Sequence, residues 1–259
     1  MNRTCHVFRL GLVPYEEAWV LQDRLAREIA AGEREPALLL LEHPHTYTFG
    51  RSGHAQNMLW DEVELARRGV RVYWVDRGGD VTYHGPGQLV GYPLLPLGRA
   101  AVQVNTERDS SRLPEGDYVG YLRQLEETLI AALADLGVAG FRLPGLTGVW
   151  VYLPGTDHPS EGKQRPAKLA AIGVKVDSRG VSRHGFALNV APDMRYWEGI
   201  IGCGLEEYPV ASLEQLLTAP PSLETVMERV VSAFGEVFGY EMVPAVPAGD
   251  TELFDTPHN

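Results

Sequence analysis

Cys203 stands in the run I-I-G-C-G-L, with a glycine on each side. Bare neighbours leave a sulfur open to a bulky electrophile and let the backbone turn tightly around it. Cysteine attacks as its thiolate, and an unassisted thiol titrates near ~8.5, so it needs a basic or cationic neighbour to act at neutral pH. The bland alternative is a buried structural cysteine, the usual fate of a free one. Cys5 alternates with Thr4 and His6 in a strand pattern and reads as packing. The candidate neighbour is Lys168, in R-P-A-K-L-A-A-I-G-V, where a lysine opens a small, apolar strand. An ammonium beside such a run either snorkels to water at the strand end or finds a partner. Lys163, in a polar loop, reads as solvated.

A second stretch offers a surface for that chemistry. Arg77 to Tyr92 reads R-G-G-D-V-T-Y-H-G-P-G-Q-L-V-G-Y, with five glycines set around Thr82, Tyr83, His84 and Gln88. Glycine inside a strand weakens it, so this density points to sharp bends or to backbone lying against a ligand. His84 can serve as a base, as a hydrogen-bond donor to an acyl carbonyl, or as a residue that orders the loop. His43 and His45 flank Pro44, but no H-E-x-x-H or C-x-x-C spacing turns these histidines into a metal site. His184, before Gly185, reads as structural. G-P-G-Q-L-V-G has one residue too many for G-x-G-x-x-G, G-K-[ST] is missing, and no G-x-S-x-G elbow accompanies a histidine triad.

The surrounding pattern supplies elements to position these residues. Cys5 to Leu10 reads as a strand, and Pro14 opens a helix over Tyr15–Ala31 that Gly32 closes. Ala37–Glu42 is a short apolar strand, and Tyr47 and Phe49 alternate with threonines as in a hairpin strand. Asp61 caps a helix to about Arg68. Val70–Val75 is a strand delivering the chain to the glycine-rich stretch, and Gln88–Leu97 continues as strand. Pro93 and Pro96 suggest an edge or a strand end there. Tyr118–Leu136 is an amphipathic helix, with Leu122, Leu125, Leu129, Leu133 and Leu136 on one stripe. Val149–Leu153, Leu169–Val176 and Val181–Val190 read as successive strands. Residues 100–116 read as a surface loop and 154–166 as a long hairpin loop. Ser212 and Ser222 cap two further helices, the second reaching about Phe238. Strands and helices mix without regular alternation, so the pattern predicts an α+β fold, a mixed sheet flanked by helices. One domain over residues 1–243 and a loose tail over 244–259 complete the expectation.

The chain has 259 residues, 44% hydrophobic, with a formal net charge of −11. That balance argues against a general nucleic-acid binder. No apolar run approaches the roughly 20 residues that span a bilayer, and the first residues lack a secretory pattern. With two cysteines and no disulfide framework, a cytoplasmic location is expected. From Glu161 to Arg195, however, seven bases face three acids. This window is either a solvated face or a docking patch for an acidic partner.

Together these residues resemble the lipoyl(octanoyl) transferase family, the octanoyl-[acyl-carrier-protein]:protein N-octanoyltransferases. Three blocks carry the resemblance: residues 77–92, K-L-A-A-I-G-V at 168–174 continuing to H-G-F-A-L-N-V at 184–190, and G-C-G-L at 202–205. It covers most of the chain from Leu38 to about Leu217. It implies the fold shared with lipoate and biotin protein ligases, and a role in lipoate biosynthesis and protein lipoylation. By this resemblance Cys203 takes the octanoyl group as a thioester, and Lys168 lowers its pKa. Arg77, Gly78, Gly79, Asp80, Val81, Thr82, Tyr83 and His84 would line the acyl pocket. Ala171, Ile172 and Gly173, with Gly185, Phe186 and Ala187, would form its other walls. The implied donor is octanoyl-acyl carrier protein. The implied acceptors are lipoyl domains of 2-oxoacid dehydrogenase complexes or the glycine cleavage H protein. No cofactor is implied. The acidity of acyl carrier proteins adds weight to a basic docking patch. Residues 100–116 and 154–166 are longer and more polar than is usual in the family. The rival readings are an ATP-dependent lipoate- or biotin-protein ligase on the same fold, and a carrier- or lipoyl-domain-binding module.

Overall fold

The computed structural model describes residues 3–98, 117–157, 164–204 and 207–245. The chain runs β1 (Arg3–Leu12), α1 (Tyr15–Ala31), β2 (Ala37–Glu42), β3 (Thr46–Phe49), α2 (Glu62–Arg67), β4 (Arg71–Trp74), β5 (Val81–His84) and β6 (Gln88–Leu94). It continues with α3 (Tyr118–Asp135), β7 (Phe141–Leu143), β8 (Leu146–Asp157), β9 (Gln164–Val176) and β10 (Ser182–Asn189). It ends with α4 (Leu213–Leu216), α5 (Leu223–Phe238) and β11 (Tyr240–Pro244). Among the described residues, eight strands form one mixed sheet in the order β11-β1-β2-β6-β10-β9-β8-β7. Three more form a small sheet, β4-β3-β5. The fold is the expected α+β arrangement.

Each face of the large sheet carries its own core. In β2, Leu38 and Leu40 join the cluster under α3 and α5, while Ala37, Leu39 and Leu41 join the one under α1. A strand buried on both faces reads as a continuous apolar run, which A-L-L-L-L is. Helix α1 buries Ala18, Leu21, Leu25 and Ile29 at helical spacing. It stops at Gly32, whose left-handed φ of 76° suits glycine. The small sheet has a third core of Tyr47, Phe49, Val81 and Tyr83, closed by Leu65 and Ile200.

Several expectations need correction. Strand β3 makes no hairpin with β2; it pairs parallel with β4 and antiparallel with β5. Pro93 is not at an edge, since β6 lies between β2 and β10. The β6–β10 pairing stops at Gly91↔Phe186, so the proline occupies a gap in an interior ladder where no donor is required. Strands β8 and β9 extend to Asp157 and from Gln164 into the expected 154–166 loop; residues 158–163 lie outside the described residues. The 100–116 loop also lies outside them. Of the expected tail, Pro244 ends β11, which pairs parallel with β1, and residues 246–259 lie outside the described residues.

Candidate active site

The glycine-rich stretch, β9 and β10 meet around one cavity of about 200 Å³. Arg77, Gly78, Gly79, Asp80, Thr82 and His84 border it from one side. Lys168, Ala171, Ile172, Gly173, Gly185, Phe186 and Ala187 border it from the other. Val81 and Tyr83 do not. Successive side chains of a strand point to opposite faces, so with Thr82 and His84 on the cavity, Val81 and Tyr83 fall into the small sheet's core.

The same alternation sorts the opposite wall. Gly185 pairs with Gly173, and Ala187 with Ala171, giving a two-by-two patch of small residues on one face. Phe186 and Ile172 pair on the other face and pack into the α3/α5 core. Their contribution to the cavity is therefore mainly backbone. A side chain at Gly185 has no room, because its Cβ would lie 2.0 Å from the Gly91 carbonyl oxygen.

Lys168 is not at a strand end. Val149 pairs with Ala170 but Trp150 with Lys168, so Leu169 is an extra residue in β9. Such a bulge re-aims side chains. Without it Lys168 would share the core-facing side of Ala170 and Ile172; with it the lysine reaches the cavity. Its backbone N–H donates to Pro209 O at 2.8 Å, and its carbonyl accepts from Ala211 N at 2.9 Å. Its Nζ lies 5.3 Å from the centre of the Trp150 ring, a cation–π distance. The stem crosses Gly148, where a Cβ would come within 2.8 Å of Lys168 Cε. The N–H of Gly148 donates to Oε1 of buried Glu126 at 3.0 Å, which fixes that crossing.

Cys203 sits in a 3₁₀ turn, Gly202–Gly204, and its side chain lies outside what the structure describes. The turn rests on the small sheet. Gly204 approaches Asp80, so that a Cβ there would be 3.0 Å from Asp80 Oδ2. Cys5 is fully buried, and burial pushes its thiol up to about 12, consistent with packing alone.

Sequence reasoning missed Tyr15, Tyr92, Gly145, Leu146, Thr147 and His184 as cavity neighbours. Tyr15 was hidden within an amphipathic helix. His184 has a left-handed φ of 56°, a rare state for a non-glycine residue that nothing in H-G-F-A announces. Its Nε2–H donates to Asp76 Oδ1 at 2.8 Å, and its N–H donates to Gln22 Oε1 at 2.7 Å. That hydrogen bond, with further ones from Lys175 and charge from Arg183, holds the Asp76 carboxyl well below the usual range. The His84 ring is oriented at both nitrogens. Gln88 gives its Nε2–H groups to Tyr83 O and Asn189 Oδ1, so its Oε1 accepts from His84 Nδ1 at 2.9 Å. His84 Nε2 faces the Thr48 hydroxyl at 3.3 Å, whose oxygen takes the Arg77 guanidinium.

Burial disfavours the charged form of three histidines here. It lowers His43 to about 4, His84 well below its ordinary value, and His184 below it despite the opposing pull of Asp76. The unfolded chain takes up protons near pH ~6.5 and the folded chain does not. Stability present above that pH is therefore lost as pH falls through 6 towards 4. With the protons of His43 and His84 bound only in the unfolded state, the expected slope near pH 5 is roughly 3 kcal/mol per pH unit. Urea unfolding at pH 7, 6 and 5 measures it, and a flat profile would contradict the assignment.

Among the described residues, four bases of the basic window are ion-paired. Arg179 pairs with Asp177 and Asp23, Arg183 with Asp23 and Asp76, Lys175 with Asp76, and Arg195 with Asp193. Asp23 and Asp76 come from outside the window, so counting charge along the sequence overstated it. Lys168 is buried and Lys163 lies outside the described residues.

The fold is shared with lipoate protein ligases. A bipartite lipoate protein ligase from Thermoplasma acidophilum superposes with a TM-score of 0.68 at 15% identity, over 98% of this chain and 91% of that one. The lipoyl protein ligase A/B catalytic domain profile matches residues 14–235. An octanoyltransferase of Chloroflexus aurantiacus is 42% identical over 92% of this chain and 96% of its own length. One from Rubrobacter xylanophilus is 45% identical over 88% of this chain and 91% of its own. The chain belongs to the lipoyl protein ligase A/B catalytic domain family and, within it, to the octanoyltransferases, which are acyltransferases.

Proposed function

We propose that this enzyme moves an octanoyl group from octanoyl-acyl carrier protein to a lysine of a lipoyl domain, through a thioester on Cys203. The observation that carries the reading is the cavity itself. A patch of Ala171, Gly173, Gly185 and Ala187 leaves room for a flexible apolar chain, Lys168 borders it, and the Gly202–Gly204 turn rests on Asp80 at its rim.

In the first half-reaction the Cys203 thiolate, stabilised by the Lys168 ammonium, attacks the donor thioester carbonyl. The bond to the carrier sulfur breaks, and the departing thiolate takes a proton from the Lys168 ammonium, which leaves that amine neutral for the next step. Exchange of one thioester for another is nearly thermoneutral and needs no ATP. In the second half-reaction the acceptor amine attacks the acyl-cysteine, an amide forms, and the Cys203 thiolate leaves. A base must remove the amine's proton. Both ring nitrogens of His84 are engaged and burial disfavours its protonation, which favours Lys168 for this role.

Intact mass spectrometry after mixing with octanoyl-carrier tests the reading. An octanoyl adduct is expected on the enzyme and none on Cys203→Ser. An adduct that persists in the variant, or transfer that requires ATP and free acid, would overturn it.

A further inference from the structure

Strand β5 begins beside an acid that faces the turn bearing Cys203. Asp80 Oδ1 accepts from the backbone N–H of Val81 at 2.7 Å and of His54 at 3.1 Å. Its Oδ2 accepts from Asn57 Nδ2. Asn57 is buried, and its backbone carbonyl accepts from the N–H of Ile201 at 2.8 Å. Met58 bridges Ile200, and Leu59 N–H donates to Gly199 O at 2.8 Å. Residues 57–59 are thus bonded along 199–201, the segment that enters the turn. At the other end, Gly204 adopts a left-handed φ of 66°. A Cβ on Gly204 would lie 3.0 Å from Asp80 Oδ2 and 3.5 Å from Asn57 Nδ2. The backbone of residues 57–59 therefore holds the entry to the turn, and the Asn57–Asp80 side-chain pair meets its exit at Gly204.

We infer that Asn57 and Asp80 are positioning residues, a latch that sets where the Gly202–Gly204 turn stands relative to the acyl cavity. The inference rests on Cys203 being the acyl carrier of the reaction. The latch works by complementarity: an amide donor meets a carboxylate whose other oxygen is held by two backbone N–H groups. Those three hydrogen bonds also direct the carboxylate's lone pairs at fixed donors, which suits a site where a second anion, the thiolate, must form nearby.

Exchanging the pair tests this. Asn57→Asp sets two carboxylates against each other. Asp80→Leu removes both acceptor oxygens and leaves the N–H groups of Val81 and His54 and the Nδ2–H of Asn57 unpaired, whereas Asp80→Asn alone would let the Asn57 amide turn and accept from the new Nδ2. In the double exchange, Asn57→Asp with Asp80→Asn, the new amide oxygen still accepts from Val81 and His54, and its Nδ2 donates to the new carboxylate. Two rates are read on the full chain: alkylation of Cys203 by iodoacetamide, assigned by peptide mass, and octanoyl-adduct formation at saturating donor. Asn57→Asp and Asp80→Leu are each expected to slow adduct formation roughly tenfold or more, because misplacing a reacting group by about 1 Å has effects of that order. The double exchange is expected to recover most of the rate. Asn57→Ala, which removes the donor and adds no charge, gives the same loss if a charged variant fails to fold. Wild-type rates in all folded variants, or a double exchange as slow as the singles, would overturn the latch. Absence of any adduct on wild-type Cys203 would instead overturn the thioester reading, while alkylation would still report the placement of the turn.

Discussion

Gly185→Ala is expected to lower stability by about 3 kcal/mol or more, the upper range for overpacking a tight interior. The added methyl would sit 2.0 Å from the Gly91 carbonyl oxygen and 2.7 Å from Pro93 Cδ. Neither can swing away. Gly91 is backbone of the neighbouring central strand, and Pro93 is locked by its ring. Strands β6 and β10 would have to separate where the proline already interrupts their ladder. For a chain of this size the midpoint of thermal unfolding should fall by roughly 10 °C. Gly137→Ala is the control. Its φ of 77° is left-handed, unlike that of Gly185, and a Cβ there meets nothing within 4 Å. It should cost only the backbone term, roughly 1–2 kcal/mol. A loss at Gly185 no larger than the one at Gly137 would show that the two strands absorb the added methyl and that their close approach does not require glycine at 185.

Lys168→Met is expected to reduce octanoyl transfer at pH 7 by about 10²-fold or more, the scale of a lost acid–base group. Methionine keeps an unbranched stem to lie across Gly148 and against Trp150, so the strand bulge should survive the change. Two steps should suffer unequally. Alkylation of Cys203 should slow at pH 7 and recover as pH approaches ~8.5, where an unassisted thiol ionises. Transfer to the acceptor amine should stay slow after that recovery, because it also needs a base. Lys168→Arg separates the roles further: the charge remains, but arginine does not give up a proton at working pH. Alkylation near the wild-type rate with slow transfer is the expected outcome there. If Lys168→Met alkylates and transfers like wild type, the lysine has neither role.

Much of the fold was legible because local signals agreed with one another. Helix α1 shows both of its ends in Pro14 and Gly32, and β2 shows its two-sided burial in an unbroken apolar run. The cavity wall was legible because glycines crowded among polar residues weaken a strand unless the backbone must bend or lie close to something. What escaped depends on long-range pairing. The bulge at Leu169 arises from register against β8, so the sequence offered a lysine at a strand start where the structure has one turned around mid-strand. Pro93 resembled an edge residue because a gap in an interior ladder looks the same along the chain. Lys175, Arg179 and Arg183 of the basic window pair with Asp23 and Asp76, which fall near them only after folding. His184 was set aside because a left-handed backbone leaves no mark on a histidine.

The two groups proposed to share the chemistry are mounted on different sheets. Lys168 belongs to the large sheet, and the turn of Cys203 leans on β5 of the small one. Their separation is a property of the seam between two frames, and neither frame sets it alone. The chain crosses that seam twice nearby. It crosses once through the Gly85–Gly87 turn that joins β5 to β6. It crosses again between Gly204, docked on Asp80, and Pro209, whose carbonyl receives the Lys168 N–H. A shift of the small sheet against the large one would carry the turn away from Lys168, so access to the cavity and alignment of the thiol with the lysine are mechanically one variable.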